Sequence, residues 1–139
     1  MNVFLDTSVV IAACASSLGA SRAIFDGATE NHWTLVTSSY VLSEIDANLD
    51  TFPDEFAAHW DALRHSIKLV PDVLTFEWIA VFSQAKDRPI LYTAAASADV
   101  LLTLDGRSFR DLLGGEFYGL ALLKPGDFLQ RERAAGRIS

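Results

Sequence analysis

The sequence predicts an α/β protein: a three-layer α/β/α sandwich with a central parallel sheet of about five strands. Three observations carry this expectation. Short apolar runs of strand length alternate with stretches patterned at helical spacing along the chain. Strands separated by helices need crossover connections, which make the strands parallel and put helices on the faces of the sheet. The 139 residues, 50% of them hydrophobic, fit one domain spanning 1–139 and can build a core without disulfide staples.

Each element has its own signal. Met1–Leu5 is apolar enough for a central strand. Val9–Ala15 continues as an apolar helix and ends in the Ser/Gly punctuation of Ser16–Gly19. Ser21–Thr29 forms a helix with Ile24 and Phe25 inward, and Thr34–Thr37 a second strand. Ser38 or Ser39 caps the next helix, whose inner stripe is Val41, Leu42, Ile45 and Leu49. Phe52-Pro53-Asp54 breaks it, and Phe56, Trp60 and Leu63 mark another helix. Ile67–Val70 is a short third strand stopped by Pro71, and Val73–Ala85 is mostly helical. Asp87 can cap a buried helix through Ala98, with Pro89 in its first turn. Val100–Leu104 is a fourth strand, Gly114-Gly115 a turn, and Leu120–Leu123 a fifth strand ended by Lys124-Pro125-Gly126. Arg131–Ser139 reads as a helix end or tail.

Composition excludes several classes. A chain this hydrophobic, with 21% charged residues, is not disordered. The single Cys14 allows neither an internal disulfide nor a multi-thiolate zinc site. No apolar run approaches the roughly 20 residues of a membrane helix. Ile11-Ala12-Ala13-Cys14 has the look of a lipoprotein cleavage site, yet no Lys or Arg precedes it and Asp6 interrupts the apolar stretch. A cytoplasmic protein without a membrane partner is therefore expected. The net charge of −7 argues against an indiscriminate nucleic-acid coat. The charge is uneven, however. Residues 1–85 hold 3 basic and 11 acidic side chains, and residues 86–139 hold 8 and 7. A phosphate-facing surface should draw on the second part.

In open parallel sheets ligands bind beyond the carboxyl ends of the strands. Asp6 follows strand one directly and Asp105 follows strand four, so two carboxylates reach one rim. A third follows from lengths. The helix 88–97 covers roughly 15 Å, and the strand 100–104 covers roughly 16 Å back. Asp87 thus returns to the end that carries Asp105, whereas Asp99 lies at the opposite end. Glu44, about a turn and a half into the helix after strand two, sits at the border of its inner face. Like charges about 4 Å apart repel by about 4 kcal/mol at an effective dielectric near 20, so such a cluster needs protons or a cation. Oxygen ligands without His or Cys select Mg²⁺ or Mn²⁺. Such ions commonly hold a phosphodiester and activate water. Thr7, Ser8 and Thr103 flank the acids and can orient them. Each acid alone also has an ordinary explanation as a turn former, cap or solvated residue; it is their convergence that points to chemistry. Lys86 and Arg88 beside Asp87, with Arg107 and Arg110 after Asp105, can form a phosphate-contacting collar or ordinary surface charge.

The remaining candidates read as structure. His32, His59 and His65 lack a ligand partner at i+3 or i+4. Trp33, Trp60 and Trp78 lie in or beside apolar patterns and suit core or dimer contacts. Cys14 reads as a buried thiol. The acidic run from Asp46 to Asp61 reads as a solvated face.

These blocks resemble the PIN-domain family of metal-dependent ribonucleases, which includes VapC-like toxins of toxin–antitoxin pairs. Met1–Ile11 (MNVFLDTSVVI) looks like its opening strand, and Thr37–Leu49 (TSSYVLSEIDANL) like its second block. Asp87–Asp105 (DRPILYTAAASADVLLTLD) is similar to its third, with an eighteen-residue step between two acids and a Thr two before the last. Leu122–Leu129 (LLKPGDFL) is similar to its closing segment. The resemblance implies endoribonuclease activity on RNA, with Mg²⁺ or Mn²⁺ held by Asp6, Glu44, Asp87 and Asp105. It also implies a homodimer and an antitoxin protein that occludes the site. Ser108, before Phe109, departs from members that carry a further acidic or polar group there, which bears on a second metal position.

Two other classes compete. A phospho-acceptor receiver domain shares the size, the acid at strand one and Lys124-Pro125, but needs a second acid where Thr7 stands. A catalytically silent PIN-like binding module would act through a partner alone.

Overall fold

The computed structural model describes residues 1–73, 88–109 and 111–139, with Arg88 described by its backbone only. Its centre is a six-stranded sheet in the order β3-β2-β1-β4-β6-β5. The strands are β1 (Asn2–Leu5), β2 (Thr34–Ser38), β3 (Lys68–Val70), β4 (Val100–Leu102), β5 (Glu116–Phe117) and β6 (Leu120–Leu123). All pairings are parallel except β5 with β6. The described helices flanking the sheet are α1 (Thr7–Ala15), α2 (Ala20–Gly27), α3 (Ser39–Ala47), α4 (Asp54–Leu63), α5 (Arg88–Ser97) and α6 (Pro125–Ala134). The α/β sandwich expected from the alternating pattern is the one observed.

β1 lies between β2 and β4, which explains its apolar sequence: Val3, Phe4 and Leu5 are wholly buried. Leu101 and Leu102 of β4 and Leu122 of β6 continue the same core. α1 packs against α2, α3 and α4, while α5 lies against β1, β2 and β4. No single helix among the described residues is long and apolar enough to cross a membrane.

Four details differ from the sequence reading. A sixth strand exists, Glu116–Phe117, joined to β6 by Tyr118 and Gly119, both at positive φ. Such a two-residue turn suits an antiparallel hairpin, but two residues carry no readable alternation. β4 stops at Leu102 rather than Leu104. The Thr103 amide still donates to the Leu123 carbonyl at 3.1 Å, whereas the Leu104 amide turns to the Ser8 hydroxyl. α1 begins at Thr7, capped by Asp6, two residues before Val9. α6 begins at Pro125, where the missing amide hydrogen costs nothing, so the segment that ends β6 also opens a helix. The helix expected over Val73–Ala85 lies, after Val73, outside the described residues.

The tryptophans Trp33 and Trp60 are buried, as their patterns suggested, and Trp78 lies outside the described residues. Trp33 meets Phe128 of α6 edge-on, with ring centroids 5.0 Å apart. Phe128→Ala removes a fully buried ring and this aromatic pair, so a loss of about 3–5 kcal/mol is expected in chemical unfolding.

Cys14 is buried, and burial pushes its thiol up from 9.0 to about 11, opposed by the nearby Arg22 charge. Its neutral form is therefore favoured by folding. The stability this contributes is complete below pH 9 and is lost as pH rises toward 11. Urea melts at pH 8 and pH 10.5 should show the parent losing stability relative to Cys14→Ala, and the native thiol should react sluggishly at pH 8.

Candidate active site

The site is built where β1 and β4 end. Leu5 of β1 stands beside Leu102 of β4, and the Asp6 amide donates to the Leu102 carbonyl at 3.0 Å. On the other side, the Thr37 hydroxyl of β2 donates to the Leu5 carbonyl at 2.9 Å. The backbone that delivers Asp6 is thus fastened to both neighbouring strands. Thr37 is wholly buried and was not singled out from the sequence; its signal is a hydroxyl at the end of a strand that is otherwise buried.

Asp6 is 4% exposed and its carboxylate is surrounded by donors. Oδ1 accepts the Thr7 amide at 2.8 Å. Oδ2 accepts the Thr103 hydroxyl at 2.6 Å and the Ser8 hydroxyl at 3.0 Å. These bonds fix the orientation of both carboxylate oxygens within the buried turn. The capping role is therefore present as well as the convergence: Asp6 ends β1 and caps α1 at once.

Glu44 arrives from α3, half-buried, and its Oε1 accepts the Thr7 hydroxyl at 2.9 Å. The boundary position inferred from Val41 and Ile45, both wholly buried, puts it within reach of the Asp6 turn. Asp105 follows β4 by three residues. Its amide donates to the Thr103 hydroxyl at 3.0 Å, and its Oδ1 accepts the Ser108 amide at 3.0 Å. Ser108 thus serves Asp105 through its backbone, in a local turn that the sequence alone did not show. Thr7, Ser8 and Thr103 link Glu44, Asp6 and the Asp105 segment into one hydrogen-bonded chain. Asp99, placed at the opposite end from the sequence, accepts the Asn2 amide there at 2.8 Å.

Asp87, Lys86 and Arg110 lie outside the described residues, as does the side chain of Arg88. Arg107 is exposed just beyond Asp105. His32, His59 and His65 are all exposed, as are Asp46, Asp50, Asp54, Glu55 and Asp61 of the acidic run.

The rim offers carboxylate and hydroxyl oxygen, a hard donor set that suits Mg²⁺ or Mn²⁺ better than a softer ion. Among the described residues no three Asp, Glu, His or Cys side chains gather as a complete ligand set. Asp6 and Asp105 supply two of the acids to the rim, with Glu44 tethered through Thr7.

A parallel sheet whose central strands end in acids tied together by hydroxyls defines an α/β protein with a carboxylate rim. The family model of the PIN domain matches residues 2–107, and the chain belongs to the PIN-domain family. That family is generally one of nucleases, which generally use divalent metal ions. Curated proteins give no match to the chain. Among solved structures, it is similar to a chain in the crystal structure of VapBC2 from Rickettsia felis bound to a DNA fragment from their promoter. That match has 15% identity and a TM-score of 0.63, and covers 88% of this chain and 97% of the other. At this identity the likeness concerns the fold.

Proposed function

We propose that this protein is an Mg²⁺- or Mn²⁺-dependent endoribonuclease, the toxin of a toxin–antitoxin pair. It works as one nuclease domain, in the cytoplasm and as a homodimer. The observation that carries the reading is the hydrogen-bonded convergence of Asp6, Glu44 and the Asp105 segment on one sheet rim of a PIN-domain chain.

When bound, the divalent ion supplies positive charge to a phosphodiester and lowers the cost of ionising water. Asp6, Asp87 and Asp105 hold it, and Glu44 either shares in holding it or orients the attacking water. The amide and hydroxyls on Asp6 fix the direction of its oxygens before substrate arrives, so little reorganisation is needed during reaction. Arg107, with Lys86, Arg88 and Arg110, meets the backbone phosphates on either side. The water oxygen would attack phosphorus in line and give up a proton, the bond to the 3′ oxygen would break, and that oxygen would take up a proton in its place, so that one water is consumed. The products are a 5′-phosphate and a 3′-hydroxyl, because a water nucleophile does not require the ribose 2′-hydroxyl.

The exposed acids of α4 form a counterpart for a basic antitoxin segment. The fold shared with a chain of the VapBC2 structure supports an antitoxin as the class of partner. Sequencing RNA ends after brief induction in cells tests the proposal. New 5′-phosphate ends at defined positions are expected. Unchanged RNA, with folded protein present, would favour the silent binding module instead.

A further inference from the structure

Resting on the nuclease reading above, the geometry points to Ser8 as a positioning residue that sets the spacing between Asp6 and Asp105 and so tunes their grip on a divalent cation. The Ser8 hydroxyl is used in both directions. It donates to Asp6 Oδ2 at 3.0 Å and accepts the Leu104 amide at 3.0 Å. Its oxygen also lies 3.5 Å from that of Thr103, the other hydroxyl on Asp6 Oδ2. Leu104 is the residue between Thr103 and Asp105, at the point where the chain leaves β4. One side-chain oxygen thus joins the first turn of α1 to the segment that carries the second acid.

The pairing of β1 with β4 fixes the two strands only as far as Leu5 and Leu102. Asp105 is three residues beyond that register, and side-chain bonds join the backbone bonds of Asp6 and Thr103 in placing it. Thr103 holds Asp6 and the Asp105 amide, and Ser8 holds Asp6 and the Leu104 amide. Each hydroxyl spends its proton on Asp6 and its lone pair on the outgoing chain. Without Ser8 the Leu104 amide loses this acceptor, and one of the two hydroxyl links between Asp6 and the Asp105 segment is gone. Groups that orient metal ligands in this way typically change affinity by about 10- to 100-fold when removed.

The test is Ser8→Ala in the full chain. Alanine is a good helix former at this position in the first turn of α1, so the variant should fold. Three readouts are compared with the parent: thermal melting, Mn²⁺ affinity by titration calorimetry, and exchange of the Leu104 amide without metal. The expected result is a Tm within a few degrees of the parent, Mn²⁺ binding weaker by about 10- to 100-fold, and faster Leu104 exchange. Equal Mn²⁺ affinity in variant and parent would overturn the role of Ser8 and leave the nuclease reading standing. Loss of affinity together with loss of the folding transition would also overturn it, by making Ser8 a structural residue. A parent that binds no Mn²⁺ would overturn both.

Discussion

Asp6→Asn is expected to abolish RNA cleavage while the protein stays folded. The substitution preserves shape and keeps an acceptor for the Thr7 amide, so the cap of α1 survives. The charge is lost, and an amide nitrogen can now face the Thr103 and Ser8 hydroxyls. The Thr103 oxygen already accepts the Asp105 amide, so a donor on its other side leaves its own proton without a partner. That costs about 1 kcal/mol of stability, far less than the whole. The catalytic loss is larger. Removing a carboxylate that holds the ion sacrifices several kcal/mol of charge stabilisation, about 10³-fold or more in rate. RNA cleavage assays beside circular dichroism melts check both halves. Full activity in the variant would remove Asp6 from the chemistry.

Asp105→Asn should act on the same ion from the other strand. Asn keeps an oxygen for the Ser108 amide, so the local turn persists. The variant lacks one negative charge on the rim, and Mn²⁺ binding should weaken at least about 100-fold, equivalent to ~2.8 kcal/mol. Calorimetry on the parent and the variant measures this directly. An unchanged isotherm would place the ion elsewhere, or Asp105 outside its ligand set.

Much of this was legible in the sequence because strand ends are punctuated by chemistry. Asp6 breaks an apolar run that otherwise continues into α1, so both the end of β1 and the first acid could be read at one residue. The parallel direction of β1 and β4 then followed from intervening helices, which put Asp105 on the same rim and Asp99 on the other. Glu44 was placed from the buried faces of Val41 and Ile45, and the Thr7 hydroxyl meets it there. The unread features depend on contacts between residues distant in sequence. Nothing local to Thr37 says that its hydroxyl will hold the Leu5 carbonyl, 32 positions away. Nothing local to Leu104 says that its amide will leave the sheet for Ser8, 96 positions away. The hairpin of β5 and β6 escaped notice because it rests on a Tyr118-Gly119 turn rather than the expected Asn-Gly or Asp-Gly signal.

The most direct measurement is the anomalous scattering of a crystal soaked in Mn²⁺. The account predicts one strong peak at the β1–β4 rim, with carboxylate oxygens of Asp6 and Asp105 at about 2.0–2.3 Å, as for a hard divalent ion. Full occupancy elsewhere on the protein, with the rim empty and these oxygens turned away from each other, would contradict it.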